Sequence, residues 1–254
     1  SERVNEVYLE FPDEFSNGNT YTLHIENVKD LNGNAIKPVD LFFTYFIPTF
    51  NDIVINEVLF NPRPNGFDFV EIYNKSAFDV DLSKIQIAGR NDVGEMDQLK
   101  QLSVVNQMLK PGLFVAISSD TAQIKRDYPA TAYNRLIQIP SLPSYSDDKG
   151  TVVLLFGDTI LDEFAYNDKM HFALITNTEG ISLERIDPEK PTQIATNWYS
   201  AAESVGFATP ANKNSQFRNQ VNNSSDEVNV YPETFSPNND GYEDRLMIRY
   251  NFEE

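Results

Sequence analysis

An all-β chain with two packed sheets is the fold class this sequence predicts, on three observations. Phe (18) and Tyr (12) combine with Val, Ile and Thr in short runs, and these side chains pack well on a pleated surface. Asn, Gly (11) and Pro (14) interrupt those runs at short intervals and supply turn chemistry. A hydrophobic share of 41% over 254 residues is enough for a proper core, in one large domain or two small ones.

The first strands are expected at Glu6–Phe11, Tyr21–Asn27 and Leu41–Ile47. In the second, Tyr21, Leu23 and Ile25 share one face, while Thr22, His24 and Glu26 share the other. Asn32-Gly33 marks a tight turn between the second and third. Pro48-Thr49-Phe50-Asn51 reads as a short linker. Beyond it, strands are expected at Ile53–Phe60, Phe67–Asn74, Ile85–Ala88, Leu113–Ser118, Thr151–Phe156, Ile160–Tyr166 and Ile181–Ile186. Gly157-Asp158 reads as a two-residue hairpin loop. Only Asp120–Asp127 reads as a helix, with Asp120 as its cap. Arg218–Glu227 is a polar linker, and Val228–Tyr231 and Arg245–Tyr250 read as closing strands. Strands at this spacing indicate a β-sandwich.

Charge narrows the partners. Lys and Arg total 20 against 38 Asp and Glu, a net charge of −18. No basic cluster is present to neutralise a phosphate backbone, so nucleic acid and anionic lipid are not expected as direct partners. An acidic surface suits a protein that stays soluble outside a cell, or one that binds cations. The absence of Cys excludes disulfides, thiolate catalysis, iron–sulfur clusters and Cys-based zinc sites. A domain of this size does not need disulfides, so their absence does not argue for the cytoplasm. No apolar run approaches the roughly 20 residues of a membrane span, and no direct membrane insertion is expected. The start Ser1-Glu2-Arg3 is read as that of a mature or excised piece without its targeting segment.

Three resemblances refine this. Tyr21-Thr22-Leu23, Lys29-Asp30 with Gly33-Asn34, and the Phe-Thr-rich stretch Leu41–Phe46 resemble the closing half of bacterial Ig-like domains of the SbsA type, over residues 1–48. Ile55-Asn56-Glu57-Val58, Phe69-Val70-Glu71-Ile72-Tyr73-Asn74 and Val80-Asp81-Leu82-Ser83 open a second pattern. It continues through Leu109-Lys110-Pro111-Gly112, Ser182–Pro188, Asn197-Trp198 and Gly206–Pro210. This succession, over residues 52–217, resembles the lamin tail domain family in its Bacteroidetes-type version. It implies an Ig-like β-sandwich flanked by partial Ig-like segments. Ala211 stands where that family commonly has Gly, which implies a less strained turn. Phe235–Leu246 resembles the start of FlgD-like and C-terminal Ig-like domains, giving a segment 228–254 after the linker 218–227.

Candidate chemistry is sparse. His24 lies on the polar face of its strand, so it is expected in solvent. His171 is the histidine a Ser–His–Asp site would need, but no nucleophile elbow accompanies it, and a structural role is preferred. Glu57 and Glu71 sit on successive strands that could form one hairpin and bring their carboxyls together. Such a pair can do acid–base chemistry or hold a metal. The preferred reading is structural, with Arg185 or Lys84 neutralising the pair. Asn238, Asp240, Glu243 and Asp244 offer closely spaced oxygens around a Gly turn, as calcium would need, but the match is partial and a plain Asn/Asp-rich turn is the preferred reading. Asp30–Asn34 offers fewer oxygens for the same purpose. No other cofactor is expected. Trp198 reads as a core or edge aromatic before a carbohydrate platform.

The expected function is non-catalytic. The chain reads as a structural, adhesion or protein-interaction module of a secreted or cell-surface, outer-membrane-associated bacterial protein. Its expected partners are other protein domains or chains at the cell surface, with a glycan as the further ligand class. The alternatives are a subunit of an outer-membrane or secretion-associated assembly, and an ancillary domain of a nuclease-like extracellular hydrolase.

Overall fold

The computed structural model describes residues 9–12, 14–217, 228–231, 235–239 and 244–250. The chain divides into two compact units, Ser1–Ile47 and Pro48–Glu254. Strands dominate both, and one short α-helix is present among the described residues, so the fold is all-β.

In the first unit, β1 (Asn19–Ile25) pairs antiparallel with β2 (Val39–Tyr45) along its whole length. Both strands start two residues before the expected positions. Of the strand expected at Glu6–Phe11, residues 9–11 are described and form no strand, because Phe11 packs on Phe15 instead of joining a ladder. Phe15 sits against Tyr21, Phe43 and Tyr45, covering part of one face of the hairpin. The side-chain amide of Asn17 closes the base through the backbone of Ile47. At the tip, the Asp30 carboxylate accepts the N–H groups of Asn32 and Asn34, which sharpens the loop that Asn32-Gly33 signals. Val39, Leu41 and Phe42 remain exposed, Phe42 by 73%.

The second unit runs β3 (Ile53–Leu59), β4 (Phe69–Asn74), β5 (Val80–Asp81), β6 (Ile85–Arg90), β7 (Met96–Gln101), β8 (Met108–Leu109), β9 (Phe114–Ser118) and α1 (Thr121–Asp127). It continues with β10 (Leu136–Gln138), β11 (Lys149–Phe156), β12 (Thr159–Asn167), β13 (Leu183–Arg185), β14 (Trp198–Ser200), β15 (Val228–Tyr231) and β16 (Met247–Tyr250). One sheet has six strands in the order β10-β9-β4-β3-β13-β14, and a second has four in the order β12-β11-β6-β7. Gly157 opens the β11–β12 hairpin at φ +56°, where a side chain would be strained. The sheets meet through aromatic rings. Phe164 of β12 stacks on Trp198 of β14 at 3.7 Å, and Tyr166 of β12 on Phe60 at 4.3 Å. Truncating a ring as buried as Phe164 costs about 3–5 kcal/mol through the cavity it leaves.

The six-stranded sheet is covered on its other face as well. There Leu59, Phe69 and Ala116 pack against Ile124 and Tyr128 at α1, and against Ala208 and Ala211. Two-sided cover explains why every residue of Ile53–Leu59 is buried and why apolar residues fill both faces of the strand before and after Asn56-Glu57. The helix forms as expected. Asp120 accepts the N–H of Gln123, Ile124 turns inward, and Pro129 follows the last turn. The strand β7 was not legible, because Met96–Gln101 is a mostly exposed polar edge interrupted by a bulge at Gln98, φ +55°. Among the described residues, no helix is long and apolar enough to cross a membrane.

Candidate functional site

A β-bulge builds the most unusual site. Ile55 pairs with Ile72, and then Glu57, not Asn56, pairs with Glu71. The extra residue moves Glu57 onto the helix-side face and turns the Asn56 amide to the same side. On the other flank of β3, Glu57 pairs with Glu184 of β13. Three carboxyls therefore lie in a row across three strands, all with no solvent exposure.

The segment Phe207–Phe217 closes over this row. Glu57 accepts the backbone N–H of Thr209 at 2.9 Å and the Ser182 hydroxyl. The Thr209 hydroxyl lies 2.7 Å from Glu184 Oε1 and 3.2 Å from Glu57 Oε2. Glu184 Oε2 accepts the Ser215 hydroxyl at 2.7 Å and the Gln216 N–H at 2.8 Å. Asn56 donates to Glu71 Oε1 and to Asn214 Oδ1, and Asn214 donates back to the Asn56 carbonyl. The Ala211 backbone N–H also faces the Glu71 carboxyl, whose Oε2 makes no hydrogen bond of its own.

Burial raises all three carboxyls. Glu57 is pushed up to about 8, first by desolvation and then by the charge of Glu184. Glu71 is raised well above its usual range by desolvation and by Glu57, and Glu184 is raised by desolvation. The closing segment is strained. Phe207 and Ala211 both have positive φ, +73° and +62°, which costs about 1–3 kcal/mol each for residues with a side chain. Ala211 in place of Gly therefore strains this turn, contrary to the relaxed turn its identity implied.

The opposite face of β13 carries the cation. Arg185 points toward β12, where its guanidinium meets Asp162 at 3.3 Å and donates to the Ile55 carbonyl. Asp162 also accepts the Ile55 N–H and the Thr192 hydroxyl, so one carboxylate ties the two sheets together. Desolvation pushes Asp162 up and Arg185 down, and their mutual attraction opposes both shifts. The expected neutralisation of Glu57 and Glu71 by Arg185 or Lys84 is thus corrected. Glu184 and Arg185 are neighbours on one strand and must face opposite ways. The carboxyl row is met instead by hydroxyls and amides, while burial raises its affinity for protons.

The remaining candidates fall apart as a catalytic set. His171 Nδ1 lies 2.9 Å from Ser200 Oγ, which also accepts the Phe172 N–H, so the hydroxyl is tied into a buried structural contact. Both side chains are buried, and desolvation lowers His171 to about 4. Trp198 is buried, with its indole N–H on the Thr192 carbonyl. His24 is exposed beside Asp40. An open cleft of about 430 Å³ is lined by Phe172, Leu174, Phe207, Asn177, Asn238 and Glu203, and the carboxyl row does not reach it.

Of the calcium candidates, Asp240 and Glu243 lie outside the described residues. Asp244 is buried and accepts the N–H groups of Asn238 and Asn239. Among the described residues, no three His, Cys, Asp or Glu side chains converge as metal ligands. This stretch packs on the β14 side, where Arg245 lies 3.6 Å over the Tyr199 ring and the Asn239 carbonyl accepts the Glu203 N–H. Glu57 and Glu71 were legible as a pair. Glu184 was not singled out, although an acid between Leu183 and Arg185 in a buried strand was the available signal. Comparison of the chain with protein-family models, with curated proteins and with solved structures found no match.

Proposed function

We propose that the chain is a non-catalytic structural or protein-interaction module of a cell-surface or secreted bacterial protein. In this reading its second unit is an Ig-like sandwich of the lamin-tail type. The observation that carries the reading is the inward orientation of its acid chemistry. The three carboxyls with raised affinity for protons are sealed under the chain's own backbone, with hydroxyls and amides as partners. A catalytic acid or base must instead reach a substrate atom within hydrogen-bond range. The interaction surface in this reading is the β1–β2 hairpin, which exposes Leu41 on one face and Phe42 on the other.

Two measurements test it. An apolar fluorescent probe should bind the intact chain and lose most of that signal in a Leu41→Ser/Phe42→Ser variant. Equal binding by the variant removes the hairpin as the surface. Turnover of a nuclease, phosphatase or esterase substrate that disappears in Glu57→Gln or Ser200→Ala overturns the non-catalytic reading. In this reading Asn238–Asp244 is first a plain Asn/Asp-rich turn, and any calcium effect maps to Asn238, Asp240, Glu243 and Asp244. Calorimetric calcium binding that Asp240→Ala abolishes would replace the plain turn by a site, and binding unchanged in that variant rejects the site.

A further inference from the structure

We propose that Phe207–Phe217 is a pH-released strap, locked over the row Glu57–Glu71–Glu184 while the row holds protons and loosened when it ionises. The argument is a proton count. The Thr209 hydroxyl has one hydrogen and two carboxylate oxygens in range, Glu184 Oε1 at 2.7 Å and Glu57 Oε2 at 3.2 Å. Donation to the nearer oxygen leaves Glu57 Oε2 facing an oxygen lone pair. Both contacts are satisfied only when one of the two carboxyls is protonated and donates to Thr209. Glu184, with the shorter Thr209 contact and donors from Ser215 and Gln216, is assigned the charge, and Glu57 the proton. Glu57 Oε1 already accepts Ser182 and the Thr209 N–H, so Oε2 is the oxygen left to carry the proton.

Removing that proton breaks the chain at its first link and puts a second charge beside Glu184. Among the described residues no Lys or Arg forms an ion pair with the row: Arg63, at the start of the strap, lies over the Tyr128 ring and donates to the Asp127 and Gly206 carbonyls. β3 and β4 contribute Glu57 and Glu71, β9 contributes Ala116, and the helix end contributes Tyr128. On β13, Glu184 faces the row while Arg185 faces Asp162 on the far side. Lys213, on the strap itself, is exposed with its ammonium 4.0 Å over the Phe217 ring. The strap's own share of the core cluster is small, Ala208 and Ala211, and two of its residues are held at positive φ. Its middle, Thr209 to Gln216, is tied to the carboxyl row. Main-chain bonds at Phe207 and Pro210 and the Asn214 amide hold it independently, so ionisation loosens the strap without detaching it, hydrating the new charge and relaxing the backbone.

Hydrogen exchange on the intact chain, corrected for the intrinsic rate, tests this between pH 6 and pH 9. The Phe207–Phe217 amides should open more readily as pH rises, by up to about tenfold per pH unit for each proton released. Amides of β11 and β12 should keep their protection. Glu57→Gln, which keeps a donor at the Oε2 position, should flatten the dependence. If that variant fails to fold, the infrared carbonyl band of buried protonated carboxyls in the unmodified chain should fade over the same pH range as the strap opens. Strap protection that is constant across the range overturns the proposal, as does opening of β11 and β12 in step with the strap. A full pH dependence in folded Glu57→Gln, or a carbonyl band that persists while the strap opens, also overturns it.

Discussion

The two faces of the six-stranded sheet bury acids in opposite ways. Toward the four-stranded sheet, Asp162 remains beside a guanidinium and accepts several hydrogen bonds. Toward the helix, Glu57, Glu71 and Glu184 lie in a row with no cation among them. One face solves the cost of a buried charge by pairing, the other by keeping part of that charge protonated. The difference teaches that a buried carboxylate is not evidence for a buried ion pair, and that each solution fails differently.

The largest effect should come from breaking the pair. Arg185→Met leaves Asp162 without its counter-ion, and denaturant unfolding at pH 7 should show a loss of about 3–5 kcal/mol. A loss below about 1 kcal/mol would place the stabilisation of Asp162 in its N–H and hydroxyl donors alone. In the row, Glu184→Gln turns an amide toward the Ser215 hydroxyl and Gln216 N–H and should cost about 1–3 kcal/mol. Glu57→Gln should cost less than Glu184→Gln at pH 6. The reverse order would put the proton on Glu184.

The pH profile sharpens the same contrast. Between the ordinary carboxylate value of 4.5 and about 8, the folded chain holds a proton at Glu57 that the unfolded chain has released, so stability falls as pH rises through that window. Asp68, raised to about 7 by burial and by Asp147, acts in the same direction. His171, lowered from 6.5 to about 4, acts oppositely, and its contribution is lost as pH falls through that interval. More acids than histidines are shifted, so maximum stability should lie below about pH 6. Thermal melts across pH check this, and a maximum above neutrality would contradict protonated carboxyls in the row. The smallest effect belongs to Ala211→Gly. Relief of the left-handed backbone, about 1–2 kcal/mol, is offset by a lost buried methyl and a freer unfolded chain, leaving a change within about 1 kcal/mol. A loss above about 2 kcal/mol would show that packing of that methyl outweighs the strain.

The sequence displayed local structure well and long-range neighbours poorly. Alternation in Tyr21–Ile25, the Gly157-Asp158 loop and the Asp120 cap each appear where local chemistry placed them, within two residues. The edge β7 and the three-residue β14 escaped because neither has an apolar period long enough to register. Glu57 and Glu71 lie close in sequence, so their meeting followed from one hairpin. Glu184 arrives from 127 positions further along, counting from Glu57, and no periodicity encodes that pairing. Thr209, Asn214 and Ser215 are ordinary loop residues until the strap folds back.

The bulge at Asn56 makes strand β3 sensitive to chain length as well as to residue type. Ahead of it, Ile53 and Ile55 point toward the four-stranded sheet. Were the ladder to run regularly through Asn56, Glu57 would continue in their phase and face Asp162, while Val58 would take the place beneath the strap. A single-codon deletion of Asn56 would instead remove the bulge and keep Glu57 opposite Glu71, at the cost of the amide that joins Glu71 to Asn214.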